Sequence, residues 1–225
     1  MPMMMAPSSS RKLAHVDGEM ATAKAVSEVG TIMGISNYAT SSLEEIANAG
    51  NGGVQWCQLY MGKEEEYNKR VLDDAMKHGV KAIILTADST AGGNREADKA
   101  NHFSFPLPMP IAEQAEKVVG KGEDVGPLLG QTLQWVRPES VRWIMEYTKL
   151  PVIVKGVQAP EDAVIAMDAG ASAIYVSNHG GRQLDGGPGS FDMLGLIADA
   201  VKKKVPIIFD SGIRCGQHRV APKGR

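Results

Sequence analysis

Cysteine is almost missing from this chain: Cys57 and Cys215 are the only two in 225 residues. Two such residues set up neither a disulfide framework nor a metal-ligand spacing, and that fits a reducing cytoplasm. Excess charge of one sign is missing as well. A formal net charge of -2 leaves no electrostatic footprint for nucleic acid or an anionic membrane. The one basic run, Lys202-Lys203-Lys204, falls at the expected end of a helix, where cations suit the macrodipole. No apolar stretch approaches the roughly 20 residues that span a bilayer. The opening Met1-Pro2-Met3-Met4-Met5-Ala6-Pro7 carries no charged leader and is too short for a signal-peptide core. A soluble, cytoplasmic protein is therefore expected. Neither an internal repeat nor a Gly-x-Gly-x-x-Gly turn before the first helix is present, which weakens a dinucleotide-binding sheet.

What is present is alternation. Apolar residues at 43% and charged residues at 22% are those of a soluble globular protein, and short β-type runs take turns with amphipathic segments. Strands are expected at Met3–Ala6, Thr31–Ser36, Gln55–Met61, Ala82–Thr86, Pro151–Gly156, Ser172–Ser177 and Pro206–Asp210. Helices are expected at Gly18–Val29, Ser42–Ala49, Glu64–His78, Arg137–Thr148 and Glu161–Ala169. A last one carries Phe191, Leu194, Ile197, Ala198 and Val201 on one face. Within the first, Met20, Ala23, Val26 and Val29 share a face. Between Asp88 and Val136 the pattern gives way to a Pro- and Gly-rich excursion long enough to be a lid or a link.

Strict β-α alternation points to a parallel sheet with helices outside. The sheet could be an open doubly wound one or most of an eight-stranded barrel. Polar residues stand at the C-terminal ends of nearly every expected strand: Ser36, Gln58 and Tyr60, Thr86 and Asp88, Lys155, Ser177 and His179, and Asp210. In a barrel these ends share the face that carries the active site. The favoured reading is an α/β fold of the TIM (β/α)8-barrel type, incomplete, with about seven strands.

Ser177-Asn178-His179-Gly180-Gly181-Arg182-Gln183-Leu184-Asp185 follows the sixth of these strands. Its glycines let the backbone turn and bring an imidazole and a guanidinium to one side. An imidazole takes a proton near neutral pH, and a guanidinium holds a carboxylate with two parallel bonds. Such a pair suits chemistry on a small organic acid. Alone, the segment reads equally as a turn whose His and Arg face solvent.

Together with Met5-Ala6-Pro7, Gln58-Leu59-Tyr60, Leu85-Thr86-Ala87-Asp88, Val154-Lys155-Gly156 and Asp210-Ser211-Gly212-Ile213-Arg214, the segment resembles the FMN-dependent α-hydroxy-acid oxidases and dehydrogenases. Gly93-Asn94-Arg95-Glu96-Ala97-Asp98 is most similar to the lactate-oxidizing members. The resemblance implies oxidation of an L-2-hydroxy acid, lactate first among candidates, to the 2-oxo acid, with oxygen as acceptor and FMN as cofactor. By the same resemblance His179 is the catalytic base and Asp88 its carboxylate partner. Arg182 grips the substrate carboxylate, Tyr60 adds a hydroxyl bond and Arg95 a second cation. Lys155 stands by the flavin pyrimidine edge, where a fixed positive charge stabilizes developing negative charge. Ser36, Gln58 and Thr86 would bond the flavin ring, with Ala6, Pro7 and Ser9 lying against it. Asp210, Gly212 and Arg214 would serve its phosphate end. Tyr38 and Ser177 are lesser candidates. Asp88 alone also reads as a helix N-cap, and Arg95 as a solvated loop residue.

Two departures from the family pattern stand out. Ser8-Ser9-Ser10 replaces an alanine-rich stretch. The chain also lacks the family's N-terminal helical segment and its last β/α segment, so it is expected to be truncated at both ends. The expected organization is a partial barrel over 1–218, a lid excursion over 88–136 and a non-family tail over 219–225. Edge strands left open by truncation would favour association, making a homo-oligomer a candidate. Three readings follow: a hydroxy-acid oxidase, an inactive remnant with weak flavin binding, or another FMN-binding barrel enzyme.

Overall fold

The computed structural model describes residues 3–89, 96–113 and 137–213. Seven parallel strands run in chain order as one curled sheet: β1 (Met4–Met5), β2 (Ile32–Ile35), β3 (Val54–Leu59), β4 (Ile83–Thr86), β5 (Val152–Val157), β6 (Ala173–Val176) and β7 (Ile207–Phe209). The helices are α1 (Gly18–Val29), α2 (Leu43–Ala49), α3 (Glu65–Lys77), α4 (Glu96–Ala100), α5 (Pro138–Thr148), α6 (Pro160–Asp168) and α7 (Ser190–Val201). Each strand pairs with the next in sequence. This is the order of a β/α barrel and excludes the doubly wound alternative, whose strand order reverses about a switch point. Among the described residues β1 and β7 are the two sheet edges, so the fold is a TIM-type barrel with seven strands in place.

Period-two alternation sorts the strand residues into two cores. One lies between sheet and helices: Met33, Ile35, Cys57, Leu59, Ile83, Leu85, Val154, Ile174 and Val176 meet Leu72, Ala75, Ile144, Ala163 and Ile197. The other fills the lumen and is smaller, comprising Ala82, Ile84, Ile153, Ala173 and Tyr175, with Met4, Trp56 and Ile208 against them. Gly34 faces inward on β2 where β1 ends; a Cβ there would stand 2.8 Å from the Pro7 nitrogen, so only glycine permits the approach.

Local chemistry sets the helix starts. Ser42 and Glu45 form a reciprocal capping box on α2, and Pro138 and Pro160 occupy first-turn positions of α5 and α6. Expected boundaries agree with the observed elements to within two residues, with three corrections inside them. Val29 is 59% exposed, because α1 turns its last residue beyond the sheet. Phe191 and Ala198 are exposed on α7, where Ile197 and Val201 are buried, Met193 and Leu194 are half-buried against the core, and the Phe191 ring meets Phe209 of β7 at 6.0 Å between centroids. Glu19, in the first turn of α1, is only 1% exposed. Part of the expected excursion 88–136 lies outside the described residues, as does the tail 219–225; within the former, α4 is a short helix not anticipated.

Candidate active site

The inward positions that fill the lumen with apolar side chains give way to polar ones at or next to the C-terminal ends of β2 to β6. Ser36, Gln58, Thr86, Lys155 and Ser177 are each at most 5% exposed. They satisfy one another: Gln58 Nε2 donates to Thr86 Oγ1 at 3.0 Å, and Gln58 Oε1 accepts from the Asn37 amide at 3.0 Å. Lys155 Nζ donates to Ser177 Oγ at 3.0 Å. That ammonium also lies 3.7 Å from Asp210 Oδ2 and 4.0 Å from Asp88 Oδ2. One nearly buried cation thus sits between two carboxylates.

Asp88 Oδ1 lies 2.8 Å from His179 Nδ1. A carboxylate only accepts, so Nδ1 carries a hydrogen, and in the neutral imidazole Nε2 holds the lone pair. The Tyr60 hydroxyl is 3.4 Å from that Nε2, and the Tyr60 ring stacks on Tyr38 at 5.1 Å between centroids. His179 has a left-handed φ of 57°, uncommon for a residue with a side chain. Two further bonds hold the turn: Ser177 Oγ accepts the His179 amide at 3.1 Å, and Asn178 Oδ1 accepts the Gly181 amide at 3.1 Å. Strain sustained by specific bonds is a mark of functional turns. Arg182, exposed, donates from Nε to the His179 carbonyl at 3.1 Å, which anchors the guanidinium beside the imidazole. Asp88 is therefore directed at His179.

A cavity of about 970 Å³ runs from this mouth down the lumen to the β1 and β7 edges. Ala6, Pro7, Ser8, Lys155, Tyr175, His179, Arg182, Asp210 and Gly212 are among its lining residues. Ser9 is not; it borders a separate depression with Arg11 and His15. The loop after β1 turns Ser8 toward the lumen and Ser9 away, a distinction no periodicity carries outside a strand. Arg95 and Arg214 lie outside the described residues.

Sequence reasoning missed Tyr175 and Asn37. Tyr175 occupies an inward β6 position two residues before Ser177, so strict alternation points to it. Burial pushes its phenol well above the usual tyrosine range, and the charge and hydrogen bond of Asp210 add to this. It stays protonated and donates to Asp210. Asn37 follows Ser36 in a loop and carries no sequence signal; its side-chain amide donates to Tyr67 Oη at 2.7 Å.

The donor set suits a flavin nucleotide. Lys155 lines the cavity, while Ser36, Gln58 and Thr86 are not among its lining residues; Ser211 and Gly212, which also line it, turn through φ values of 77° and 78°, which directs loop amides at an anion. Asp88 Oδ2 is buried with no hydrogen-bond partner among the described residues, the kind of unsatisfied acceptor expected where a bound group completes a site. The cavity volume lies within the range of about 300–1,000 Å³ usual for ligand sites.

Comparison with known proteins agrees with this. The chain is 50% identical over 215 residues to an L-lactate oxidase of Lentilactobacillus hilgardii, covering 96% of this chain and 58% of that protein. It is 41% identical over 225 residues to glycolate oxidase 1 of Oryza sativa subsp. indica, covering 96% and 60%. A solved structure described as a Pediococcus acidilactici lactate oxidase superimposes with a TM-score of 0.86 at 52% identity, over 93% of this chain and 56% of that one. The chain thus spans somewhat more than half the length of these relatives. Residues 1–221 match the FMN-dependent dehydrogenase family, to which this chain belongs, with FMN as its cofactor.

Proposed function

We propose that this protein oxidizes an L-2-hydroxy acid, L-lactate foremost, to the 2-oxo acid with release of hydrogen peroxide. The observation that carries the reading is the His179 imidazole. Asp88 holds its Nδ1, and its lone-pair nitrogen faces the mouth beside Tyr60 and Arg182. His179 Nε2 accepts the substrate proton, and Asp88 stabilizes the imidazolium so formed. Arg182 grips the substrate carboxylate and Tyr60 bonds its hydroxyl oxygen. Lys155, Gln58, Thr86, Ser36 and Ser177 hold the flavin ring, with Ala6 and Pro7 against it and Asp210 and Gly212 toward the phosphate. The chemistry FMN supplies when bound is acceptance of the substrate's electron pair and its delivery to oxygen, which becomes peroxide. Two protons and two electrons leave the alcohol carbon and its hydroxyl, and both pairs are recovered in the peroxide.

Lactate is favoured over glycolate by the higher identity to the L-lactate oxidase. A cytoplasmic location belongs to the same proposal, supported by the free thiol of Cys57. No helix among the described residues is long and apolar enough to cross a membrane. Self-association is also proposed, supported by exposed Phe191 and Leu196 on α7 and Ile165 on α6. The deciding experiment adds L-lactate under nitrogen to the FMN-loaded chain. Bleaching of the flavin absorbance, with peroxide on readmitting oxygen, is expected. Retained flavin that no L-2-hydroxy acid bleaches would overturn the proposal.

A further inference from the structure

We propose that Gly156 is a positioning residue: a glycine in a bulge of β5 forms the floor on which the Asp88 carboxylate rests, and the absence of a side chain there sets the contact between Asp88 and His179. The inference deepens the proposed function by naming what holds its acid-base pair in place.

The register carries the first part of the argument. Lys155 pairs with Tyr175, yet Val157 pairs with Val176, so Gly156 is one residue extra on β5. The consequence shows in the two cores. Ile153 points into the lumen and Val154 outward. Lys155 points inward to Ser177. Unbroken alternation would then turn Val157 inward, but it lies in the outer core with Val154. Gly156 absorbs the change of parity with φ of +97°.

The bulge also meets β4 as that strand leaves the sheet. The Ala87 amide donates to the Lys155 carbonyl at 2.8 Å, so the next residue, Asp88, passes directly over Gly156. A Cβ on Gly156 would stand 2.5 Å from Asp88 Cβ, 2.6 Å from Cγ and 2.8 Å from Oδ2. Ordinary contact begins at 3.4 Å, so the carboxylate would have to retreat by nearly 1 Å. It is hemmed in by His179 Nδ1 and Ser89 Oγ on Oδ1 and by Lys155 near Oδ2. A 2.8 Å hydrogen bond changed by that amount, whether stretched or compressed, leaves the hydrogen-bonding range.

The test reads the hydrogen bond itself on the full 225-residue chain and needs neither turnover nor flavin. The Nδ1 proton of an imidazole donating to a carboxylate gives a downfield proton resonance, assigned here by its loss in His179→Gln. Gly156→Ala is expected to abolish or shift that resonance in a protein with unchanged circular dichroism. Gly79→Ala, at φ +75° with nothing within 4 Å of its new Cβ, imposes backbone strain alone and should leave it in place. If Gly156→Ala does not fold, the double variant Asp88→Gly/Gly156→Ala should fold, because the clash is gone. An unchanged resonance in folded Gly156→Ala would overturn the proposal. So would a double variant that fails to fold along with the single one, since the glycine would then serve its backbone only. Failure of lactate to bleach flavin would leave this result standing, so the two ideas fail separately.

Discussion

Replacing Lys155 by methionine tests the electrostatic arrangement of the mouth. The ammonium side chain is 5% exposed and faces Asp210 at 3.7 Å and Asp88 at 4.0 Å, whose side chains are 19% and 9% exposed. At an effective dielectric constant near 20, each attraction is worth about 4 kcal/mol, and desolvation of the cation offsets a large part. Removing one partner nevertheless leaves carboxylates buried without a counter-charge, a change that costs about 3–5 kcal/mol in comparable pairs. Total stabilities of about 5–15 kcal/mol are usual, so Lys155→Met should lower the urea midpoint severely. Unfolding is followed through tryptophan emission, to which Trp56, lying against the lumen core, contributes. The double variant Lys155→Met/Asp210→Asn should recover part of the loss, because one stranded charge is removed with its partner. A loss below about 1 kcal/mol, or a double variant no more stable than the single one, would refute the reasoning, given the size of buried-pair effects.

Glu19 should make the fold acid-sensitive. Burial raises its carboxyl, but the Thr40 amide and hydroxyl and the Arg11 amide outweigh burial and hold it below the ordinary 4.5. A depressed native value contributes stability above 4.5 that is lost as pH falls through the native value; Glu19→Gln should flatten that part of the stability curve in urea titrations at stepped pH. Arg182→Lys should weaken L-lactate binding and slow flavin reduction together, by tenfold or more on the order of one lost charged bond, in stopped-flow absorbance; unchanged kinetics would mean the guanidinium does not grip substrate. Cys57 should resist iodoacetamide at pH 8 in the native protein and react in urea, because burial, reinforced by Asp74, pushes its thiol up to about 12; mass spectrometry of the peptide reads the difference.

Much of the fold was legible because hydrophobic periodicity is local. Alternation in Gln55–Met61 or Ser172–Ser177 reports which side chains share a sheet face, and spacing in Glu64–His78 reports the inward stripe of Val71, Leu72, Ala75 and Met76, of which Met76 is half-buried. Polar residues at successive strand ends likewise announced a common mouth. Resemblance then supplied roles for His179, Asp88, Arg182 and Lys155 that pattern alone left open. Outside regular elements the reading weakened: Ser8 lines the cavity and Ser9 does not, since a loop has no period to consult.

Other features depend on contacts between distant segments. Asp88 and His179 are 91 residues apart, and Tyr60 and His179 are 119 apart; only closure of the parallel sheet brings them within bonding distance. The burial of Glu19 could not be read from α1, where a glutamate belongs on the solvent face. It depends on donors from Arg11 and Thr40, contributed by two other loops. Gly156 closes the expected strand Pro151–Gly156, and nothing local to that strand marks its contact with Asp88. The sequence by itself determined the faces of strands and helices, because each residue's direction follows from the backbone geometry of its own element. The tertiary structure alone decided which faces meet, how the β5 bulge reverses parity and where Asp88 comes to rest, because those outcomes are set by packing between elements far apart in the chain.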